Sequence, residues 1–447
     1  MNEKVRRDTD QIVRVGELFN HMPFTKKHFF VGIVLFIISV IEAWEMMLII
    51  FISPNIAGEF QLSDLQVGSL IGSIYFGMIP GAYMWGIISD RIGRKNSLII
   101  SLLGFSIVSA VSAFSVNFEM LYALRFIAGL ALGGVMVAGY PYFEEMLPVK
   151  QRGRGIVYLS AGWPIGTLMA LGVTSLLLDR EGLIGGWRAV LILSSLVGLW
   201  AILLRKIPES PYWLAGKGKQ KEAKQSITYL SNGQIKLEEK QTLWIQPIEK
   251  GNYTSIFKRK LLKLTTYQTI VNFAFAFGYW GLYTWLPTLL AQRGLALSDS
   301  LTFLALSTVF QIPSYLVASS LTGRYGRKKI MIIFVLLTVI CGFGFAFSSS
   351  MVQMYAFYFG LSFFSLGAWG VWNAWFGEIY PTNSRSAGYS FGAAAQRWAN
   401  AFAPSIIGMV IGMGWAFGQT ISFVQAFVVI TLITILFIPE TEGEVLE

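Results

Sequence analysis

Along this chain apolar residues run in stretches of about twenty, and charged residues collect in the short gaps between them. A helix rising ~1.5 Å per residue needs about 20 such residues to cross a ~30 Å hydrocarbon core. The pattern predicts twelve membrane-spanning helices, over 29–53, 65–89, 96–115, 119–143, 155–178, 187–205, 264–290, 300–322, 329–348, 351–379, 386–411 and 414–438. Between the sixth and seventh lies a polar stretch rich in Lys, Glu and Gln, expected to be partly helical around 217–240. The implied organisation is a tail (1–28), a six-helix half (29–206), a central loop (207–262), a second six-helix half (263–438) and a short tail (439–447). The fold class is an all-α membrane protein in two halves.

Composition agrees. Of 447 residues 54% are hydrophobic and 13% charged, against roughly 25% charged in soluble domains. A net charge of +10 would suggest a nucleic-acid partner in a soluble protein, but its distribution gives a better account. With both termini in the cytoplasm, 30 of the 35 Lys and Arg fall on the cytoplasmic side, as the positive-inside rule requires. Of the other five, Arg180, Arg188 and Arg293 lie near the outer face, and Arg125 and Arg397 lie inside spans. The expected location is the plasma membrane, crossed many times by a chain that works as a monomer, without nucleic acid. The single cysteine, Cys341, allows no internal disulfide. Residues 1–28 do not read as a cleavable signal, and His21 and His28 read as headgroup neighbours. No metal-ligand cluster and no phosphate-cradling Gly-Lys-Ser/Thr loop appears, so neither a metal, a cofactor, an enzyme activity nor an ATP-driven pump is expected.

An internal repeat ties the halves together. The stretch Gly86-Ile-Ile-Ser-Asp90-Arg91-Ile-Gly93-Arg94-Lys95 after the second span matches Gly323-Arg324-Tyr-Gly326-Arg327-Lys328 after the eighth, at an offset of 233. The same offset carries Glu145 to Glu378, Arg152 to Arg385 and Pro54 to Pro287. Dispersed matches at one spacing point to a duplicated six-helix unit. It also shows where the halves differ: Glu42, Glu45 and Arg125 have Phe275, Gly278 and Tyr358 as counterparts.

The Gly86 to Lys95 stretch resembles the loop signature of the major facilitator superfamily, and the resemblance covers nearly the whole chain. Pro208-Glu209-Ser210-Pro211-Tyr212-Trp213-Leu214 and Pro439-Glu440-Thr441-Glu442-Gly443 resemble the two end-of-half signatures of its sugar-porter branch. Glu42, Glu45 and Pro54 in the first span are similar to the pattern of aromatic-acid/proton symporters and niacin-type transporters. Arg125 to Gly134, Tyr279 to Pro287, and Arg397 before Pro404 resemble that group too. The resemblance implies a secondary transporter with an inter-helix latch on the cytoplasmic side. Its members here would be Asp90, Arg91, Arg94, Glu145, Arg152, Arg327, Glu378, Arg385, Glu209 and Glu440. The alternative is that the basic residues only anchor topology at headgroups. Two departures stand out: Gly323 matches Asp90, and Tyr212 stands where the signature usually has Arg.

Ionisable groups at membrane depth are costly and face a cavity or a partner. Glu42 and Glu45, three apart, share a helical face. Glu45 is read as the proton carrier with Glu42 second, Arg125 as alternating between this acid and substrate, and Arg397 as a two-point carboxylate ligand. The structural alternative is a permanent Glu42–Arg125 salt bridge. Trp369, Trp372 and Trp375 recur at a spacing of three, and the seventh span is dense in rings. Trp280, Tyr283, Trp372, Asn373, Gln268 and Asn272 are substrate-binding candidates, by stacking and directional hydrogen bonds. Lipid-facing packing is the alternative for the aromatics and accounts well for Trp285. The leading reading is proton-coupled uptake of a small organic anion, with an aromatic ring a natural fit. A sugar or polyol porter, an organic cation exporter and a non-transporting sensor stay open.

Overall fold

The computed structural model describes residues 12–160, 162–178, 186–245, 253–376, 379–380 and 384–441. The first half is built of α2 (Lys26–Phe60), α3 (Asp64–Ile92), α4 (Arg94–Ser112), α5 (Phe118–Glu145), a fifth span in two pieces, α6 (Val149–Ser160) and α7 (Gly162–Leu177), and a sixth. The sixth span runs through α8 (Gly186–Ser195), a 3₁₀ turn (Leu196–Trp200) and α9 (Ala201–Leu204). The second half contains α12 (Arg259–Ala291), α13 (Leu297–Tyr325), α14 (Arg327–Ala346), α15 (Met351–Phe376), α16 (Arg385–Gly412) and α17 (Phe417–Ile435). The duplication is visible in the helix starts: Lys26, Asp64, Arg94 and Phe118 lie 233 residues before Arg259, Leu297, Arg327 and Met351. The seventh helix thus begins inside the stretch read from sequence as central loop.

Among the described residues nine helices are long and apolar enough to cross a membrane. The remaining spans are the interrupted fifth, α12 and α16; the last two carry Gln268 and Asn272, or Gln396, Arg397 and Asn400, which dilute their apolar runs. Local signals set the starts. Thr25 and Ser63 make capping boxes with His28 and Gln66, and Asn117 accepts from the Met120 amide at 2.9 Å. Prolines inside α3 and α13, Pro80 and Pro313, are again 233 apart.

At the end of the bundle where the described residues begin and end, strand β1 (Ile12–Arg14) pairs in parallel with β2 (Thr242–Trp244), so this early segment is zipped to the central loop. The loop also forms α10 (Pro211–Gly216) and α11 (Gln220–Leu230), the latter inside the 217–240 stretch expected to be partly helical. A short helix α1 (Val15–His21) buries Val15 and Phe19, and Phe19 meets Tyr212 at 5.2 Å between ring centroids.

The halves meet mainly towards the opposite, far end. There α3 and α16 approach closely: a Cβ on Gly68 would stand 2.2 Å from the Pro404 carbonyl oxygen, and one on Gly408 2.4 Å from that of Asp64. Further in, Phe76 packs on Phe402 at 5.2 Å, and Trp280 meets Tyr75 at 5.5 Å and Trp163 at 5.9 Å. Towards the terminal end Tyr83 and Tyr389 are exposed. The bundle is sealed at one end.

Candidate functional site

Glu42 and Glu45 are both 1% exposed on α2, yet they lie in the fields of different bases. Glu45 accepts a hydrogen bond from Ser194 Oγ and is coupled to the charge of Arg125. Arg125, on α5, donates to Ser112 Oγ at 2.7 Å and Ser109 Oγ at 3.2 Å. Glu42 is coupled instead to Arg397 of the other half and to the Tyr140 hydroxyl, and its Oε1 has no hydrogen-bond partner. The Glu42–Arg125 salt bridge weighed from sequence is therefore not formed: a three-residue step rotates the two carboxylates towards separate neighbours. No carboxylate lies within 4 Å of Arg125 or Arg397 among the described residues. Arg397 is partly exposed, and its field reaches Tyr389 and Tyr83 as well.

The aromatic candidates divide. Trp280 is the keystone of the seal, between Tyr75 and Trp163 of the first half. The buried Tyr283 hydroxyl lies close to Thr167 of the first half and Thr308 of the second, whose own hydroxyls donate to the Trp163 and Leu304 carbonyls. Trp372 donates from Nε1 to Asn272 Oδ1 at 3.1 Å, Asn272 donates to Gln268 Oε1 at 2.9 Å, and Gln268 donates to the Gly388 carbonyl at 3.2 Å. These three side chains are a bridge from α15 through α12 to α16, with their polar atoms already engaged. Asn373 is exposed. The tryptophans at 369, 372 and 375 are all buried, which removes the lipid-facing reading for that face. It fails for Trp285 too: its ring is buried and donates to the Pro404 carbonyl at 2.7 Å.

At the terminal end the latch residues form a compact network within the first half. Arg94 pairs with Asp90 at 2.7 Å and with Glu145 at 3.4 Å. Ser210 Oγ donates to Glu145, and Trp213 donates to the Asp90 carbonyl at 3.0 Å. Glu209 accepts from the backbone amides of Arg94 and Lys95, both at 3.1 Å, which open α4. An anion on unsatisfied amides at a helix start is stabilised by hydrogen bonds and dipole together. Burial raises the Glu209 carboxyl above its usual range, while the backbone N–H groups pull it down. The second half repeats the device: Glu440 accepts from Arg327 and Lys328 amides at 3.0 Å, and Lys328 Nζ reaches the Leu436 carbonyl as Lys95 Nζ reaches that of Arg205. The turn before each helix needs glycine, with φ +102° at Gly93 and +91° at Gly326.

Other latch candidates fall differently. Arg152 binds the Tyr212 hydroxyl at 2.8 Å and lies over its ring, so the Tyr that replaces the usual Arg becomes its partner. Arg91 is exposed, away from the network. Glu378 lies outside the described residues, as does the side chain of Arg385. Sequence reasoning missed Ser109, Ser112, Ser194 and Tyr140. The available signal was two serines three apart, at a spacing that places both hydroxyls on one helical face.

The model of the Major Facilitator Superfamily matches residues 35–404 and 303–446. The chain belongs to the major facilitator superfamily. Among curated members of this superfamily it is 31% identical over 369 residues to a putative niacin/nicotinamide transporter of Bacillus subtilis, covering 82% of this chain and 84% of that one. It is 27% identical over 432 residues to a niacin transporter of Acinetobacter baylyi, covering 96% and 97%. Among solved structures, the inward open xylose transporter of E. coli superposes with a TM-score of 0.75 at 20% identity, covering 94% of this chain and 98% of that one. That likeness fixes the major facilitator fold of two six-helix halves. The chain is an integral membrane transporter of small organic molecules, and not an enzyme.

Proposed function

We propose that this transporter takes up a small, flat organic acid together with protons, across the plasma membrane, with both termini cytoplasmic. The sealed end then faces outward, and the structure is the inward-facing state of an alternating-access cycle. The observation that carries the reading is a buried Glu42, its Oε1 without a hydrogen-bond partner, lying within the field of Arg397 of the other half. An anionic substrate can take the guanidinium from the acid, which then holds a proton more readily once its cationic neighbour is engaged. Glu45, beside Arg125 and Ser194 within one half, is suited to carry the proton itself. The names of the niacin-type relatives support a pyridine-type carboxylate, and Tyr140 and Tyr389 border the same space.

The test is uptake into proteoliposomes under an imposed inward proton gradient. Accumulation of nicotinate is expected in the wild-type protein. Glu45→Gln should reduce gradient-driven accumulation by about tenfold or more while leaving substrate exchange. Gradient-independent entry of sugars or amines in place of acids would overturn the reading.

A further inference from the structure

The second half holds a small cavity at the position where the first half holds its buried ion-handling group. Its wall includes Phe275, Gly278 and Tyr358, which are the counterparts, 233 residues on, of Glu42, Glu45 and Arg125. Replacement of a glutamate by glycine and an arginine by tyrosine removes both charges and opens space. A Cβ on Gly278 would come within 2.6 Å of Val428 Cγ2, so this wall takes no larger residue without shifting.

The cavity is uncharged but polar. Gln311 and Gln425, on α13 and α17, are 2% and 1% exposed and line it. Gln311 Nε2, a donor, and Gln425 Oε1, an acceptor, have no hydrogen-bond partner. A buried amide atom left unpaired is costly, about 1–3 kcal/mol in general, so this pair offers whatever fills the cavity one donor and one acceptor. The free volume is ≈ 20 Å³, where a water takes roughly 10–15 Å³. That admits one or two polar heads of water size. Tyr279 and Tyr283, also in the wall, face the inter-half seal from α12.

We infer that this cavity is a second recognition subsite, for an uncharged group that both donates and accepts hydrogen bonds. A carboxamide, or a carboxylic acid in its protonated form, has the required pair of atoms on one carbon. The inference rests on the proposed transport of flat ring compounds, and it adds that uncharged carboxamides bind in this cavity within the second half, while carboxylates bind at Arg397, on the α16 helix of the same half that is coupled to Glu42 of the first.

Calorimetric titration of the purified full-length protein with nicotinamide and with nicotinate tests it. Gln311→Met and Gln425→Met keep the shape and delete the orphaned polar atoms. Each should weaken nicotinamide binding by about tenfold and change nicotinate binding less than about twofold. Retained nicotinate affinity reports that the variants are folded. If nicotinamide binds all three proteins equally while nicotinate binds the wild type, the subsite is wrong and the transport proposal stands. If the wild type binds neither, both fail. Should the variants not fold, photo-crosslinking of the wild type with a diazirine-bearing benzamide gives a second measurement. Label on peptides from α15 or α17 is expected; label confined to first-half helices would overturn the subsite.

Discussion

Glu42 and Glu45 are one helical step apart, yet one serves the seam between the halves and the other the interior of the first half. For the proposed organic-acid substrate, that division makes Arg397 the cation best placed to trade an internal acid for a carboxylate. A planar guanidinium offers two parallel donors where an ammonium offers a point charge. Arg397→Lys should therefore weaken the apparent affinity for nicotinate by about tenfold, read as a higher half-saturation concentration in exchange assays. Unchanged affinity would make Arg397 a packing residue. The charged members of this site were legible in the sequence because ionisable residues are rare at membrane depth. Their pairing was not: spacing places two acids on one face but does not say which base each meets. The serines on Arg125 and Glu45 were hidden for a different reason, since small hydroxyl residues in spans also bond their own helix, as Ser53 and Ser73 do here.

At the scale of elements, the residues read as a latch are organised on a matched pair of helix starts. Each depends on a glycine whose backbone no other residue adopts readily, packed against the capping glutamate. A Cβ at Gly93 would stand 2.2 Å from Glu209 Oε2, and one at Gly326 2.6 Å from Glu440 Oε2. Gly93→Ala should cost about 1–3 kcal/mol from backbone conformation alone and also displace the cap. Gly104→Ala, where a Cβ meets only Ala131 Cβ at 3.8 Å, is the neutral comparison. Melting in detergent, followed by tryptophan fluorescence, should separate the two, with Gly93→Ala the lower. Equal melting would mean the turn relaxes freely. The repeat itself was fully legible, because a conserved spacing survives where side chains diverge. The strand pair of β1 and β2 was not, since three residues of alternating pattern carry no usable signal and their pairing spans the whole first half.

For the whole molecule, the question is what holds the far end shut, and the answer lies in how little side chain separates α3 from α16. Gly68 and Gly72 face the backbone of Pro404 and Ala401, while Gly408 faces that of Asp64, so the two helices touch main chain to main chain. Small residues at such crossings allow the close packing that drives helix association in lipid. In the proposed cycle, opening that end must break this seam, whereas each of the paired helix-start caps at the other end lies within one half. A large side chain in the seam should thus shift the population rather than unfold either half, because each half keeps its own core. Gly408→Leu would also meet Trp285 Cζ2, 2.7 Å from the Cβ position, so α12 is pushed together with α3. The single cysteine makes this measurable: in a Cys341→Ala, Ser405→Cys background, a membrane-impermeant maleimide should label the parent slowly. Adding Gly408→Leu should raise the labelling rate by about tenfold or more, since a populated open state exposes the seam. Labelling that stays slow while nicotinate uptake continues would show that the seam absorbs the added bulk, and that closure rests on the Trp280 aromatic contacts instead.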